Sequence, residues 1–106
     1  SAHWWMQRIT AIILIPLTFW MVAFIKQLGN ADHTQITAWL SEPFNSALAI
    51  SFIFAAFYHA ALGLQIVIED YVHTESYKIT AVWTVKLSFL FLGLTAVLAI
   101  LRIILS

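Results

Sequence analysis

Cysteine is absent from the 106 residues, so disulfides, thiolate metal sites and cysteine nucleophiles are excluded. Charge is scarce as well. Five Lys and Arg balance five Asp and Glu, 9% of the chain and a net charge of zero, which leaves no basic field to attract nucleic acid. No signal-peptide pattern of charged, apolar and small residues is visible. There is also no nucleotide-binding motif, low-complexity segment, internal repeat or soluble domain. What is abundant is apolar surface: 62% of the residues, with a mean hydropathy of +0.91. A soluble domain of this size needs more polar surface, so the excess must face lipid or other protein.

Three apolar stretches stand out, at about residues 9–28, 47–68 and 79–105. Each has roughly the 20 residues that a helix needs to cross about 30 Å of hydrocarbon. A lipid-exposed backbone must satisfy its own hydrogen bonds, so the expected fold is an all-α membrane protein of three transmembrane helices forming one domain over residues 1–106. Pro16 is expected to kink the first helix, a packing feature that Thr18 and neighbouring helices can soften. Gly29-Asn30 is expected to end that helix. Asp32 is placed to cap a short helix lying flat on the membrane surface, with Ile36, Trp39 and Leu40 on one face and Pro43 ending it. The second connection, residues 69–78, carries Glu69, Asp70, Glu75 and Lys78.

Arg8, Lys78 and Lys86 fall on one side of the membrane, Lys26 and Arg102 on the other. This bias places the N-terminus and the second loop inside. His3, Trp4, Trp5, Trp39 and Trp83 are positioned as interfacial anchors, and Lys26, Lys86 and Arg102 read as snorkelling residues near helix ends.

His59 stands out as the ionisable side chain near the middle of a span, about 16 Å above Asp70 at 1.5 Å per residue. Such residues are functional candidates, and the neutral imidazole that tolerates this depth is the metal-binding form. Ser51, Ala55, His59 and Gly63 recur every fourth residue as a ridge of small side chains with the imidazole standing on it. One reading is clearance for a porphyrin; the other is ordinary small-residue helix packing, with His59 hydrogen-bonded to a neighbour. His3, His33 and His73 lie at or beyond helix ends, so a bis-histidine heme would need its second ligand from another chain. Asp70 lies below His59 on nearly the same face. With Tyr71 it can offer hydrogen bonds and protons to a lipid-soluble carbonyl compound, or it can be a solvated helix end beside an interfacial tyrosine. Arg8 can pair with a propionate or simply be a positive-inside residue.

Tyr58-His59-Ala60-Ala61-Leu62-Gly63-Leu64-Gln65-Ile66-Val67-Ile68-Glu69-Asp70-Tyr71-Val72 resembles the small hydrophobic anchor subunit of succinate dehydrogenase, the D-type subunit of complex II. The likeness rests on a histidine, a glycine four residues on, and an Asp-Tyr pair after eleven. Near the start, Arg8-Ile9-Thr10-Ala11-Ile12 matches an Arg-x-Thr-Ala pattern, and the span and loop positions agree over essentially the whole chain. The resemblance implies that His59 is an axial iron ligand of a heme b shared with a second, C-type membrane subunit, and that Arg8 partners its propionates. It further implies that Tyr71 and Asp70 serve ubiquinone, and that a flavoprotein and an iron–sulfur subunit complete a succinate:quinone oxidoreductase. The membrane would be the bacterial cytoplasmic or the mitochondrial inner membrane. On this view the chain is a subunit of an enzyme and carries no catalytic residue itself. Two alternatives are a heme-bearing anchor of a fumarate reductase, and a cofactor-free small transporter or structural protein. The absence of Asp or Glu deep in the spans argues against a proton-coupled transporter.

Overall fold

The computed structural model describes residues 2–105. It contains α1 (Ala2–Gln27), α2 (His33–Ser41), α3 (Pro43–Tyr71) and α4 (Glu75–Leu105), and no strand among the described residues. The helices α1, α3 and α4 have 26, 29 and 31 residues and are long and apolar enough to cross a membrane. At 1.5 Å per residue each exceeds a hydrocarbon layer of about 30 Å, so their ends project into the interfacial zones or the helices tilt. The molecule measures 51 × 26 × 22 Å.

Each spanning helix begins before its apolar run, and α3 also continues beyond its own. Hydropathy marks where the hydrocarbon lies, whereas the backbone ladder continues into the polar flanks. The shift matters at α4, which starts at Glu75 rather than 79. Lys86 becomes the twelfth residue of α4, about 16 Å along it, and is not near a helix end as expected. It lies at a depth like that of His59, so His59 is not alone among ionisable groups there. Its ammonium nonetheless reaches back toward the α3–α4 loop, resting 5.0 Å from the Trp83 ring centroid, as a snorkelling lysine does.

The exit from α1 also differs from expectation. No described residue, Gly29 included, has positive φ, so the helix does not end in a left-handed glycine cap. The Leu28 N–H donates to the Phe24 carbonyl and the Ala31 N–H to the Leu28 carbonyl, which carries the turn without one. Helix α1 runs unbroken through Pro16.

Helix α2 forms where Asp32 suggested. Its carboxylate accepts from the Gln35 N–H at 2.8 Å, and the Gln35 side chain accepts from the Asp32 N–H at 2.9 Å, a reciprocal capping box. Glu42 then serves as both the C-cap of α2 and the N-cap of α3, in an extended conformation that suits the residue before Pro43. Pro43 occupies the first turn of α3, where its missing N–H costs nothing. Trp39 is more than an interfacial anchor. Its ring stacks on Phe24 at 3.7 Å and on Trp20 at 5.5 Å, pinning α2 to the end of α1.

Helix α3 lies between α1 and α4, which do not pack on each other. On one side His59 and Gly63 face α1. On the other, Gly93 of α4 admits the Phe57 ring, which would lie 3.2 Å from an added Cβ. Residues 57 and 59 are about 200° apart around a helix, which is why the two neighbours take opposite sides. Threonine hydroxyls within the helices return to their own backbones: Thr80, Thr84 and Thr95 each donate to the carbonyl four residues earlier. Helix α4 buries no residue completely, so its apolar surface is left for lipid or partner subunits.

The cap generates a prediction. Asp32→Ala should cost about 1 kcal/mol locally by removing the Gln35 N–H acceptor. Faster hydrogen exchange across residues 33–36, with the spanning helices unchanged, is the expected result.

Candidate functional site

Two contacts set the register of α1 against α3. Thr10 Oγ1 lies 3.0 Å from His59 Nδ1, and an added Gly63 Cβ would meet Gln7 Nε2 at 3.4 Å. Three residues forward on α1 thus correspond to four backward on α3. The helices are antiparallel and Arg8 is level with about residue 62. Arg8, which directly precedes the apolar run expected to form the first helix, is the seventh residue of α1 and not its start. It lies within about a turn of the level of His59. Two residues from Thr10, it projects from a different face, exposed, with its guanidinium 4.6 Å from the Trp4 ring centroid.

The imidazole of His59 is half-buried at the α1–α3 seam. Its partner Thr10 is 6% exposed and also lies 2.8 Å from the Met6 carbonyl oxygen and 3.1 Å from that of Gln7. A hydroxyl has one proton, and a carbonyl oxygen only accepts. The Thr10 proton therefore goes to the α1 backbone, and its lone pair accepts from Nδ1–H of His59. The alternative would point oxygen lone pairs at one another at 2.8 Å. With Nδ1 protonated, the neutral ring leaves Nε2 with its lone pair available to an electrophile such as a metal.

The ridge of small residues is used partly as the packing alternative expected. Gly63 accommodates Gln7 of α1, while Ser51 is exposed and Ala55 half-buried. The clearance at Gly63 thus goes to another helix rather than to a flat ring. The Gln7 Oε1 atom is buried with no hydrogen-bond partner among the described residues. Another polar residue invisible to hydropathy is Gln65, 5% exposed, whose amide donates to Glu69 at 3.4 Å.

Asp70 and Tyr71 finish α3, both exposed, with Tyr71 at 77%. They lie at the end of the molecule where α1 and α4 begin, about 16 to 18 Å along the axis from His59. Arg8 and Asp70 do not meet; the one ion pair among the described residues is Lys78 with Glu75 at 3.9 Å. The structure therefore brings Thr10 and His59 together, puts Arg8 at a similar level on another face, and keeps the Asp70-Tyr71 pair at the membrane boundary. No group of three or more His, Asp or Glu among the described residues is arranged to hold a metal ion unaided.

A sequence model of the succinate dehydrogenase/fumarate reductase transmembrane subunits matches residues 1–100. The chain belongs to this family. A succinate dehydrogenase hydrophobic membrane anchor subunit of Rickettsia bellii is 39% identical over 87 residues, covering 82% of this chain and 70% of that protein. The protein of the same description from Rickettsia prowazekii is 34% identical over 87 residues, with the same coverages. A succinate dehydrogenase membrane anchor subunit of Reclinomonas americana is 29% identical over 89 residues, covering 81% of this chain and 74% of its own length. No solved structure matches. As a succinate dehydrogenase membrane anchor subunit, the chain is a membrane component of an oxidoreductase complex. Its three apolar helices fit a bacterial cytoplasmic or mitochondrial inner membrane.

The seam yields a prediction for the assembled anchor. Gly63→Ala should be tolerated, because the end of the flexible Gln7 side chain can yield to one methyl group. Gly63→Leu should force α1 from α3, at a cost of about 1–3 kcal/mol for overpacking. Thermal denaturation of the solubilised complex should show a lower midpoint for leucine and a near-normal one for alanine.

Proposed function

We propose that this subunit helps bind a b-type heme through His59 and Arg8 and ubiquinone through Tyr71 and Asp70, and so passes electrons from succinate to quinone. The observation that supports this reading is the Nδ1 hydrogen bond of His59 to Thr10, which would leave Nε2 free to ligate iron at membrane depth. A single histidine suits an axial position, because a porphyrin supplies four nitrogens of its own. With His3, His33 and His73 all exposed near helix ends, a further histidine for the iron would have to come from another chain, such as a C-type membrane subunit. When bound, the heme supplies a one-electron redox couple within the membrane. Arg8, level with the turn beyond His59 and directed outward, is available to a propionate. The flavoprotein and iron–sulfur subunits would oxidise succinate to fumarate, releasing two electrons and two protons.

Quinone reduction takes up two electrons and two protons, and negative charge builds on the carbonyl oxygens as electrons arrive. A donor aimed at such an oxygen stabilises that charge, and the protons must come from nearby water. Tyr71 places a hydroxyl donor at the membrane boundary, and Asp70 beside it can orient that hydroxyl or order water. The names of the curated relatives favour succinate oxidation over the reverse, fumarate-reducing direction.

Two outcomes test this reading. In the purified complex, His59→Ala should alter or abolish the b-type heme spectrum, with Arg8→Ala giving a smaller change; an unchanged His59→Ala spectrum contradicts the assignment. Tyr71→Phe should leave the heme and assembly intact but lower quinone reduction by about a hundredfold, the order expected for one lost donor at a developing oxyanion. Succinate oxidation by an artificial acceptor that takes electrons upstream should persist in that variant. Normal quinone turnover at limiting quinone would place the site elsewhere.

A further inference from the structure

Thr10 has no part in the roles assigned so far, yet it is among the most buried residues of the chain and touches the one histidine inside a span. We propose that Thr10 is the positioning residue of His59: its hydroxyl fixes the imidazole tautomer and plane, and tunes the iron that Nε2 binds. This rests on the heme reading above. Thr10 Oγ1 donates to the α1 backbone at Met6 or Gln7, and a hydroxyl that donates is a stronger acceptor on its other side. The proton on Nδ1 is therefore held by a polarised oxygen on a different helix, 49 residues away in sequence.

This bond does two things. It stops the ring from rotating about its bond to Cβ, so Nε2 keeps one direction. It also draws the Nδ1 proton outward and leaves more electron density on Nε2, making the ligand more basic. A more basic axial ligand stabilises ferric over ferrous iron, so the hydroxyl holds the heme potential down. A threonine that only filled space would do neither, since valine has nearly the same shape.

Thr10→Val, Thr10→Ala and Thr10→Ser in the complex purified with its partner subunits test the proposal, read by optical redox titration of the heme. Val and Ala are expected to raise the heme midpoint potential while Ser, which keeps the hydroxyl, holds the wild-type value. Loss of heme in Val and Ala with retention in Ser also supports the role, as failed orientation. Potentials in Val and Ala equal to wild type would overturn it. So would a shift or heme loss in Ser as large as in Ala, because the hydroxyl would not then be the agent. His59→Ala, measured alongside, separates the two claims. If its heme spectrum is unchanged, the heme reading itself fails; if it changes while the Thr10 variants match wild type, only the role of Thr10 fails.

Discussion

An imidazole in the interior of a hydrocarbon layer has two nitrogens, and each needs a chemical reason to be there. Charging the ring at that depth is costly, and leaving its N–H unpaired costs several kcal/mol by order of magnitude. In this chain the first nitrogen is settled by Thr10, which is already committed to donating to its own helix and so can only accept. The second is then a lone pair on a neutral ring. One cross-helix hydrogen bond thus satisfies the Nδ1–H of His59 within the layer and selects the tautomer in which Nε2 carries the lone pair of the neutral ring. It also ties α1 to α3 in a fixed register.

That register organises the rest. With Thr10 opposite His59 and Gln7 opposite Gly63, the start of α1 and the end of α3 share one end of the molecule. The same end begins α4. Lys78 and the Asp70-Tyr71 pair are therefore gathered toward one membrane face, and Arg8 and His59 lie inward from them at similar levels. Helix α3 is flanked rather than enclosed, with Phe57 against Gly93 on the α4 side. Three helices in such a row leave wide apolar faces, as expected of a chain that completes its environment with lipid and other subunits.

The spans were legible in the sequence because about 20 consecutive apolar residues have few alternatives in a membrane. Asp32 was legible as a cap because it precedes a helical pattern of apolar residues, whereas the reciprocal bond from Gln35 emerged only in the structure. Helix ends were not, since hydropathy falls off before the backbone ladder does; this misplaced Arg8 and Lys86 relative to their helices. The absence of a left-handed glycine at Gly29 was invisible because glycine permits that conformation without requiring it. His59 was legible as an ionisable group within an apolar run. Thr10 was not. A threonine in a helix ordinarily returns its hydroxyl to the preceding turn, as Thr80, Thr84 and Thr95 do, and nothing local distinguishes one that also receives a bond from another helix. Gly63 illustrates the same limit: its small size was visible, but whether a helix or a cofactor used the space depended on the packing partner.

The most direct measurement is an experimental structure of the complete complex in its membrane subunit environment, at a resolution that shows side-chain orientation. The expected result is a porphyrin iron held by His59 Nε2 and by a second ligand from another membrane subunit, with His59 Nδ1 still on Thr10. A His59 whose Nε2 meets only protein or lipid, or whose Nδ1 binds the iron, would contradict it.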